Sequence, residues 1–165
     1  MSERLLPVDD DPDTGGFWEA AKRHELVVRV CDGCSAVLHV PRAYCHTCGG
    51  WEGSWQPVSG RGRLYSWTTA EHQVHPAYPV PYTIVLVELE EEPSVRFVGY
   101  LPGSPPLTDG QAMRVWFETL DDGVVLPQWA PVPGSEPVSH ALEHMGAAPA
   151  PSEKRPTGTT GRTRP

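Results

Sequence analysis

Four cysteines in two closely spaced pairs constrain this chain more than any other feature of its sequence. Two residues separate Cys31 from Cys34 and Cys45 from Cys48, and ten residues lie between the pairs. Glycines or small polar residues within or beside each pair permit the tight turns that aim two thiolates at one metal ion. Two such turns facing each other supply four sulfur ligands in tetrahedral geometry. The spacing therefore predicts a structural zinc ribbon.

The same spacing leaves other interpretations open. A rubredoxin-like iron site uses the same four ligands. Disulfide bonds would need an oxidising compartment, and the acidic start MSERLLPVDDDPD has no apolar segment typical of an export signal. A redox-active pair would usually be single and would open a helix. Because four protein ligands leave no open position for water, we expect a metal site that is not a catalytic centre.

Composition and charge limit the classes of protein to which the chain can belong. It has 165 residues, of which 39% are hydrophobic, and a formal net charge of -8. Since no run approaches about 18 apolar residues, we predict no transmembrane helix and a cytoplasmic protein. An acidic body would repel a phosphate backbone over most of its surface, which argues against nucleic acid as the partner. One anionic small molecule could still bind at a local cluster of arginines.

The remaining pattern predicts a mainly β protein with a short N-terminal helix. The helix begins near residue 15, where a loose apolar stripe starts. Five later segments have the composition of strands and are separated by turn residues: 63–74, 82–91, 95–101, 112–120 and 124–132. Five strands of this length predict a small closed barrel, with the OB-fold as the leading candidate. The segment 82–91 is almost continuously apolar, as in a strand buried on both faces.

These patterns divide the chain into four predicted parts. The N-terminal helical segment spans 1–28, the zinc ribbon 29–54, and the five-stranded OB-fold barrel 55–132. The last part, 133–165, is rich in Pro, Gly, Ser and Thr. Because such a composition cannot bury a core, we predict a disordered, flexible C-terminal tail.

The order of motifs resembles that of one known family. The motifs follow one another along the chain as FWEAAKRHEL, CDGC, PRAYCHTCGG, SGRGRLYSWT, PYTIVLVELEE, QAMRVWFE and LPQW. This order resembles the DUF35 family, which combines an N-terminal helix, a rubredoxin-like zinc ribbon and an acyl-CoA-associated OB-fold. The resemblance covers roughly residues 9–132, and the C-terminal part falls outside it.

The resemblance implies an accessory role in an acyl-CoA-processing complex. DUF35 proteins assemble with a thiolase-like or lipid-transfer-type enzyme subunit that carries the catalytic residues, in a heterotetramer or a larger assembly. The family implies one structural zinc per chain, a CoA thioester as substrate of the complex, and no activity of the chain alone. We favour an aldolase that cleaves a bulky CoA thioester, for example one with a steroid side chain, over a thiolase or acyltransferase complex. A nucleic-acid-binding ribbon and OB module is a more distant alternative.

The turn Gly60-Arg61-Gly62-Arg63 is the candidate anion site. Its glycines would let backbone N–H groups approach a phosphate, and the guanidiniums of Arg61 and Arg63 can bind it with paired hydrogen bonds. CoA carries a diphosphate and a 3′-phosphate, so the family resemblance makes these arginines candidates for CoA contact. The alternative is a tight β-turn with solvated arginines.

Four further residues are candidates for contact with the partner or its substrate tunnel. Phe17 and Trp18 are large for the first turn of a solvent-facing helix, although such a pair is usually core. His75 and Tyr78 lie in the proline-rich segment 70–82. Since no acid–base partner of defined geometry accompanies His75 in the sequence, we assign no catalytic residue.

Overall fold

The computed structural model describes residues 4–120 and 123–134, in which one helix and eight strands lie. In chain order the elements are α1 Gly15–Lys22, β1 Val27–Cys31, β2 Val37–Leu38, β3 Gly53–Pro57, β4 Arg61–Ala70, β5 Tyr82–Leu89, β6 Arg96–Pro102, β7 Ala112–Thr119 and β8 Val125–Pro131. The prediction of a mainly β protein with a short N-terminal helix is confirmed. The predicted tail lies outside the described residues from 135 onward. In the described part, no helix has the length and apolar character needed to cross a bilayer.

A three-stranded antiparallel sheet carries the cysteine pairs, with β1 between β2 and β3. β3 pairs with the whole of β1, so it crosses the predicted boundary between residues 54 and 55. Val28 and Val30 of β1 belong to the main hydrophobic core. Cys31, at the end of the same strand, belongs to a small separate core with Leu38 and Cys45. One strand thus connects the metal site to the rest of the molecule.

A five-stranded antiparallel sheet in the order β6-β5-β4-β7-β8 forms the barrel. The barrel closes because β6 and β8 lie against each other. At this closure the backbone N–H of Tyr100 donates to Gln128 Oε1 at 3.1 Å, and Trp129 packs beside Gly99. The order of strand contacts is that of an OB-fold.

The barrel core is built from one face of each strand. On β5, the side chains of Thr83, Val85, Val87 and Leu89 are buried, and Ile84 on the opposite face is exposed. The expectation that this strand is buried on both faces is therefore wrong, because Ile84 on its outer face is 38% exposed. Alternation along the strand was masked in the sequence because both faces carry apolar side chains.

The helix closes one side of this core. Ala20 and Ala21 of α1 are buried, and the ring of Phe17 stacks on that of Phe97 at a centroid distance of 5.9 Å. Gly16 of the helix lies against the indole of Trp55, and a side chain at position 16 would collide with the ring. The helix therefore contacts both the ribbon sheet and the barrel.

Candidate metal centre and partner-facing residues

The four cysteine thiols converge on one point of the ribbon. Their Sγ atoms all lie within 4.8 Å of one another, with 3.5 Å between Cys31 and Cys48 and 3.7 Å between Cys34 and Cys45. A tetrahedral zinc ion with Zn–S bonds of about 2.3 Å places its sulfur ligands roughly 3.8 Å apart. The geometry of the four sulfurs therefore fits a single tetrahedral metal ion.

Two hydrogen-bonded turns aim the thiols. The N–H of Ser35 donates to the carbonyl of Cys31 at 2.8 Å, and the N–H of Gly49 donates to the carbonyl of Cys45 at 2.9 Å. Both donors occupy the left-handed region, with φ of 60° at Ser35 and 79° at Gly49. Glycine adopts this conformation at little cost, whereas serine does so at a small penalty. The tight turns inferred from the sequence are present at both pairs.

Two of the thiols have pKa values shifted in opposite directions. Backbone N–H groups of Cys48 and Thr47 lower the pKa of Cys45 to about 6, although desolvation opposes them. The N–H of Ala36 also lowers the pKa of Cys34, but desolvation and the three neighbouring cysteine sulfurs outweigh it and raise that pKa to about 12. Four sulfurs this close repel one another as thiolates, so a divalent cation would stabilise the fully deprotonated set.

The two histidines nearest to the ribbon lie outside the sulfur cluster. His46 is exposed in the second turn. His39 Nε2 donates to the carbonyl of Arg96 at 2.6 Å, and its ring contacts Phe97 at a centroid distance of 4.8 Å. His39 therefore joins the ribbon to β6 of the barrel, a role that its position in the sequence did not indicate.

Arg61 and Arg63 face the same carboxylate. Arg61 Nε donates to Glu90 Oε2 at 3.1 Å, and Arg63 Nη2 lies 3.9 Å from Glu90 Oε1. The backbone N–H of Arg61 donates to Ser59 Oγ at 3.2 Å, so this donor is already used within the turn. An anion that binds here would have to compete with Glu90.

Close packing of neighbouring strands requires glycine at both Gly60 and Gly62. Gly60 has a φ of 69°, and a side chain there would collide with Val115. A side chain at Gly62 would meet both Val87 and the carbonyl of Glu88. Close strand packing thus accounts for both glycines, and CoA contact by Arg61 and Arg63 stays a prediction.

The two aromatic side chains of the helix, Phe17 and Trp18, lie at the edge of the barrel core. Phe17 packs against the barrel core, and its edge contact with Trp18 has a centroid distance of 5.0 Å. Both side chains are half-buried. Both side chains therefore keep some exposed surface, and contact of Phe17 or Trp18 with a partner stays a prediction.

His75 and Tyr78 belong to an aromatic cluster at one end of the barrel. The ring of Tyr78 lies 5.8 Å from His75 and 6.2 Å from Tyr100, which in turn lies 5.5 Å from Tyr82. The guanidinium of Arg4 lies 6.0 Å from the Tyr78 ring and forms an ion pair with Glu118. Sequence reasoning missed Arg4, Tyr82 and Tyr100, because only the fold brings these distant segments together.

Fold and site together define the class: a four-thiol ribbon joined to an OB-fold barrel. The rubredoxin-like zinc ribbon domain of ChsH2 matches residues 18–52, and the C-terminal OB-fold domain of ChsH2 matches residues 55–118. A chain of the solved Ltp2-ChsH2(DUF35) aldolase is 32% identical, with a TM-score of 0.69 over 76% of this chain and 98% of that one. The chain belongs to the DUF35 family and has its ChsH2-type ribbon and barrel.

Three further proteins are similar to this chain. A DUF35 protein of unknown function from Sulfolobus solfataricus shares the fold, with 16% identity and a TM-score of 0.50 over 63% of this chain and 77% of that one. A probable enoyl-CoA hydratase alpha subunit of Thermomonospora curvata is 38% identical over 73% of this chain. The 3-oxo-4,17-pregnadiene-20-carboxyl-CoA hydratase alpha subunit of Mycobacterium tuberculosis is 33% identical over 78%. The chain spans only 38% and 42% of the lengths of these two hydratase subunits.

Proposed function

We propose that this chain is an accessory subunit of an acyl-CoA-processing complex whose thiolase-like, lipid-transfer-type partner carries the catalytic residues. The observation that carries the proposal is the match over 98% of a chain from the Ltp2-ChsH2(DUF35) aldolase. That match extends from the ribbon into the barrel and leaves little of the relative unaccounted for. The partner would be a separate protein, in a heterotetramer or a larger assembly.

Aldol cleavage of a bulky CoA thioester is the reaction that we favour for the complex. The aldolase relative supports the reaction, and the steroid-CoA hydratase relative supports a CoA thioester with a steroid-like acyl group. In such a cleavage a carbon–carbon bond breaks to give a carbonyl compound and a shorter CoA thioester. Thiolysis or acyl transfer by the partner would use the same accessory subunit.

A hydratase complex is the second candidate, because both curated relatives are hydratase alpha subunits. The chain corresponds to about two fifths of each. In residues 4–120 and 123–134, His39 and His75 bond to backbone groups, and no histidine bonds to a carboxylate as a catalytic base often does. We therefore assign the chain a supporting role in a hydratase complex as well.

The ribbon would hold one zinc ion through Cys31, Cys34, Cys45 and Cys48. With all four positions taken by protein sulfur, the ion would supply folding free energy and rigidity. This role agrees with the position of β1, which shares side chains with both cores.

Co-expression with a thiolase-like protein of the same organism tests the proposed function. We expect the two chains to co-purify and to cleave a β-hydroxyacyl-CoA thioester, while the isolated chain shows no turnover. Mass spectrometry of the products separates the candidates, since aldol cleavage shortens the acyl chain, whereas a hydratase would remove water from the β-hydroxyacyl thioester and leave its carbon chain intact. Aldolase or hydratase activity of the isolated chain would contradict the assignment.

The arginine pair supports a further prediction about CoA. Replacing both Arg61 and Arg63 by Ala should weaken CoA binding by the complex at least about tenfold, because charge-assisted hydrogen bonds to phosphate would be lost. Glu90→Gln should have the opposite effect, since Glu90 competes with the phosphate for both guanidiniums. Calorimetry with CoA provides the measurement, and Arg42→Ala on the ribbon is the control for loss of an arginine elsewhere on the surface. Unchanged affinity in both variants would exclude this turn as the CoA site.

A further inference from the structure

One outer face of the barrel is apolar at its centre and partly exposed, with Tyr78 in contact only with its Tyr82 and Tyr100 end. Directly paired residues of antiparallel strands project to the same face of a sheet. Ile84 pairs with Tyr100 and Leu86 pairs with Val98, so these four side chains form two adjacent rows on the side opposite to buried Val85. The outer barrel face, as defined here, consists of Tyr65, Tyr82, Ile84, Leu86, Val98 and Tyr100.

The exposure of this face is unusual for an outward-facing sheet surface. Val98 is 66% exposed, and Tyr65 is 49% exposed although the guanidinium of Arg96 lies 3.7 Å from its ring centroid. Antiparallel strands with one face in water normally place polar side chains there. Here the centre of the face is apolar or tyrosine, and polar side chains of the same face border it, namely Ser66, Thr68, Glu88 and Arg96. An apolar centre with a polar rim is typical of a protein–protein interface.

The area of this face suits a protein partner. Its side chains expose on the order of 400 Å² of largely apolar surface, about half of what one side of a stable interface buries. The N-terminal arm adds to it, because Arg4 lies 5.9 Å from the Tyr100 ring and the following Leu5 and Val8 are exposed. The face and the arm together approach the size of a stable heteromeric interface.

The charges that border the face are paired. Arg96 forms an ion pair with Glu88 at one end, and Arg4 forms one with Glu118 at the other. β5 and β6 are the second and third barrel strands, whose outer side binds oligonucleotides in other OB-folds. Such binding requires a positively charged groove, and no unpaired cation lies among the residues of this face. A neutral protein surface fits better than nucleic acid.

Net charge also disfavours a second copy of the chain. Each copy carries a formal charge of -8, so stacking two copies face to face would bring together two strongly acidic bodies. The apolar rows contain no charged side chain that could offset this repulsion. A different protein with its own apolar patch avoids the penalty.

We infer that the outer barrel face is the docking surface for the thiolase-like partner subunit, through a complementary apolar and uncharged patch. The inference rests on the proposed function, because it names the part of the chain that the partner covers. A carboxylate at position 98 would be buried in the complex, and the neighbouring cation Arg96 is already paired with Glu88.

The test uses the full chain and the thiolase-like protein of the same organism that co-purifies with it. We expect Val98→Glu to raise the Kd of the complex at least tenfold, while the isolated variant keeps the circular dichroism spectrum and zinc content of the wild type. Val40→Glu is the matched control, because Val40 is a ribbon valine with the same 66% exposure. This control should bind the partner within about twofold of the wild type.

Each alternative gives a different outcome. Failure of the wild-type chain to bind the partner would overturn the proposed function, whereas a wild-type Kd for Val98→Glu would overturn only the docking face. Equal losses in both variants would also reject the barrel face as the specific surface. The isolated chain should be a monomer by light scattering, and a dimer that Val98→Glu dissociates would show that a second copy occupies the face. Binding of single-stranded DNA that Val98→Glu abolishes would equally overturn the inference.

Discussion

A Cys45→Ser variant is expected to bind no zinc and to lose the folded ribbon together with partner binding. Cys45 is fully buried, and its thiol is one of the four that form the sulfur cluster. A neutral hydroxyl does not replace a thiolate on zinc, and binding of structural zinc contributes about 10–16 kcal/mol in isolated zinc fingers. Metal analysis, hydrogen exchange of residues 27–57 and co-purification should report the loss in parallel.

Unfolding of the ribbon should also destabilise the barrel. β1 carries Cys31 at its end and places Val28 and Val30 in the main core, so unfolding of the ribbon would expose these valines. His46→Asn in the same turn is the control, and it should retain zinc because His46 lies outside the sulfur cluster. A Cys45→Ser variant that stayed folded and assembled but lost only catalysis would show that the metal site is catalytic.

A Trp129→Ala variant should lose about 3–5 kcal/mol of the free energy of unfolding, which is typical of large-to-small substitutions in a core. Trp129 is 1% exposed and is the largest fully buried side chain in the described residues. It packs beside Gly99, where an added Cβ would come within 2.9 Å of the indole, and it lies 6.4 Å from the ring of Phe97. The cavity would form where β6 meets β8, so barrel closure itself would weaken. Denaturant unfolding gives the measurement.

Trp116→Ala is the matched control for this experiment. Trp116 lies on the neighbouring strand β7 and is 46% exposed, so its removal leaves no enclosed cavity. We expect it to cost about 1 kcal/mol or less. Equal destabilisation by the two substitutions would mean that Trp129 does not hold the closed barrel together.

Cys45→Ser and Trp129→Ala remove two different structural supports of the outer barrel face. The zinc ribbon holds β1 and, through His39, contacts the backbone of Arg96 on β6. Trp129 holds β6 from the inside of the barrel. Since β6 carries Val98 and Tyr100, both supports bear on the face that we assign to the partner. Loss of either support should therefore weaken assembly as well as stability.

Local patterns sufficed for the ribbon and for the fold class. The cysteine spacing predicted the four-sulfur cluster, because each pair needs only a four-residue turn to converge. Turn residues between apolar segments predicted the five barrel strands, and the family resemblance predicted the ribbon and barrel order that the comparisons confirm. Strand ends were less accurate: the segment 63–74 was expected where β4 spans Arg61–Ala70. Nothing local showed that Gly53–Pro57 would join the ribbon sheet.

The sequence alone determined the metal ligands and the barrel, because both depend on spacings of a few residues. Tertiary structure alone decided that Glu90 lies against Arg61 and Arg63, and that Arg4 reaches Glu118 from the other end of the chain. Tertiary structure also decided that only one face of β5 is buried. The apolar sequence of this strand is equally compatible with burial of one face or of both. A sequence states which side chains are apolar, but only the placement of the other strands and the helix determines which of them remain uncovered.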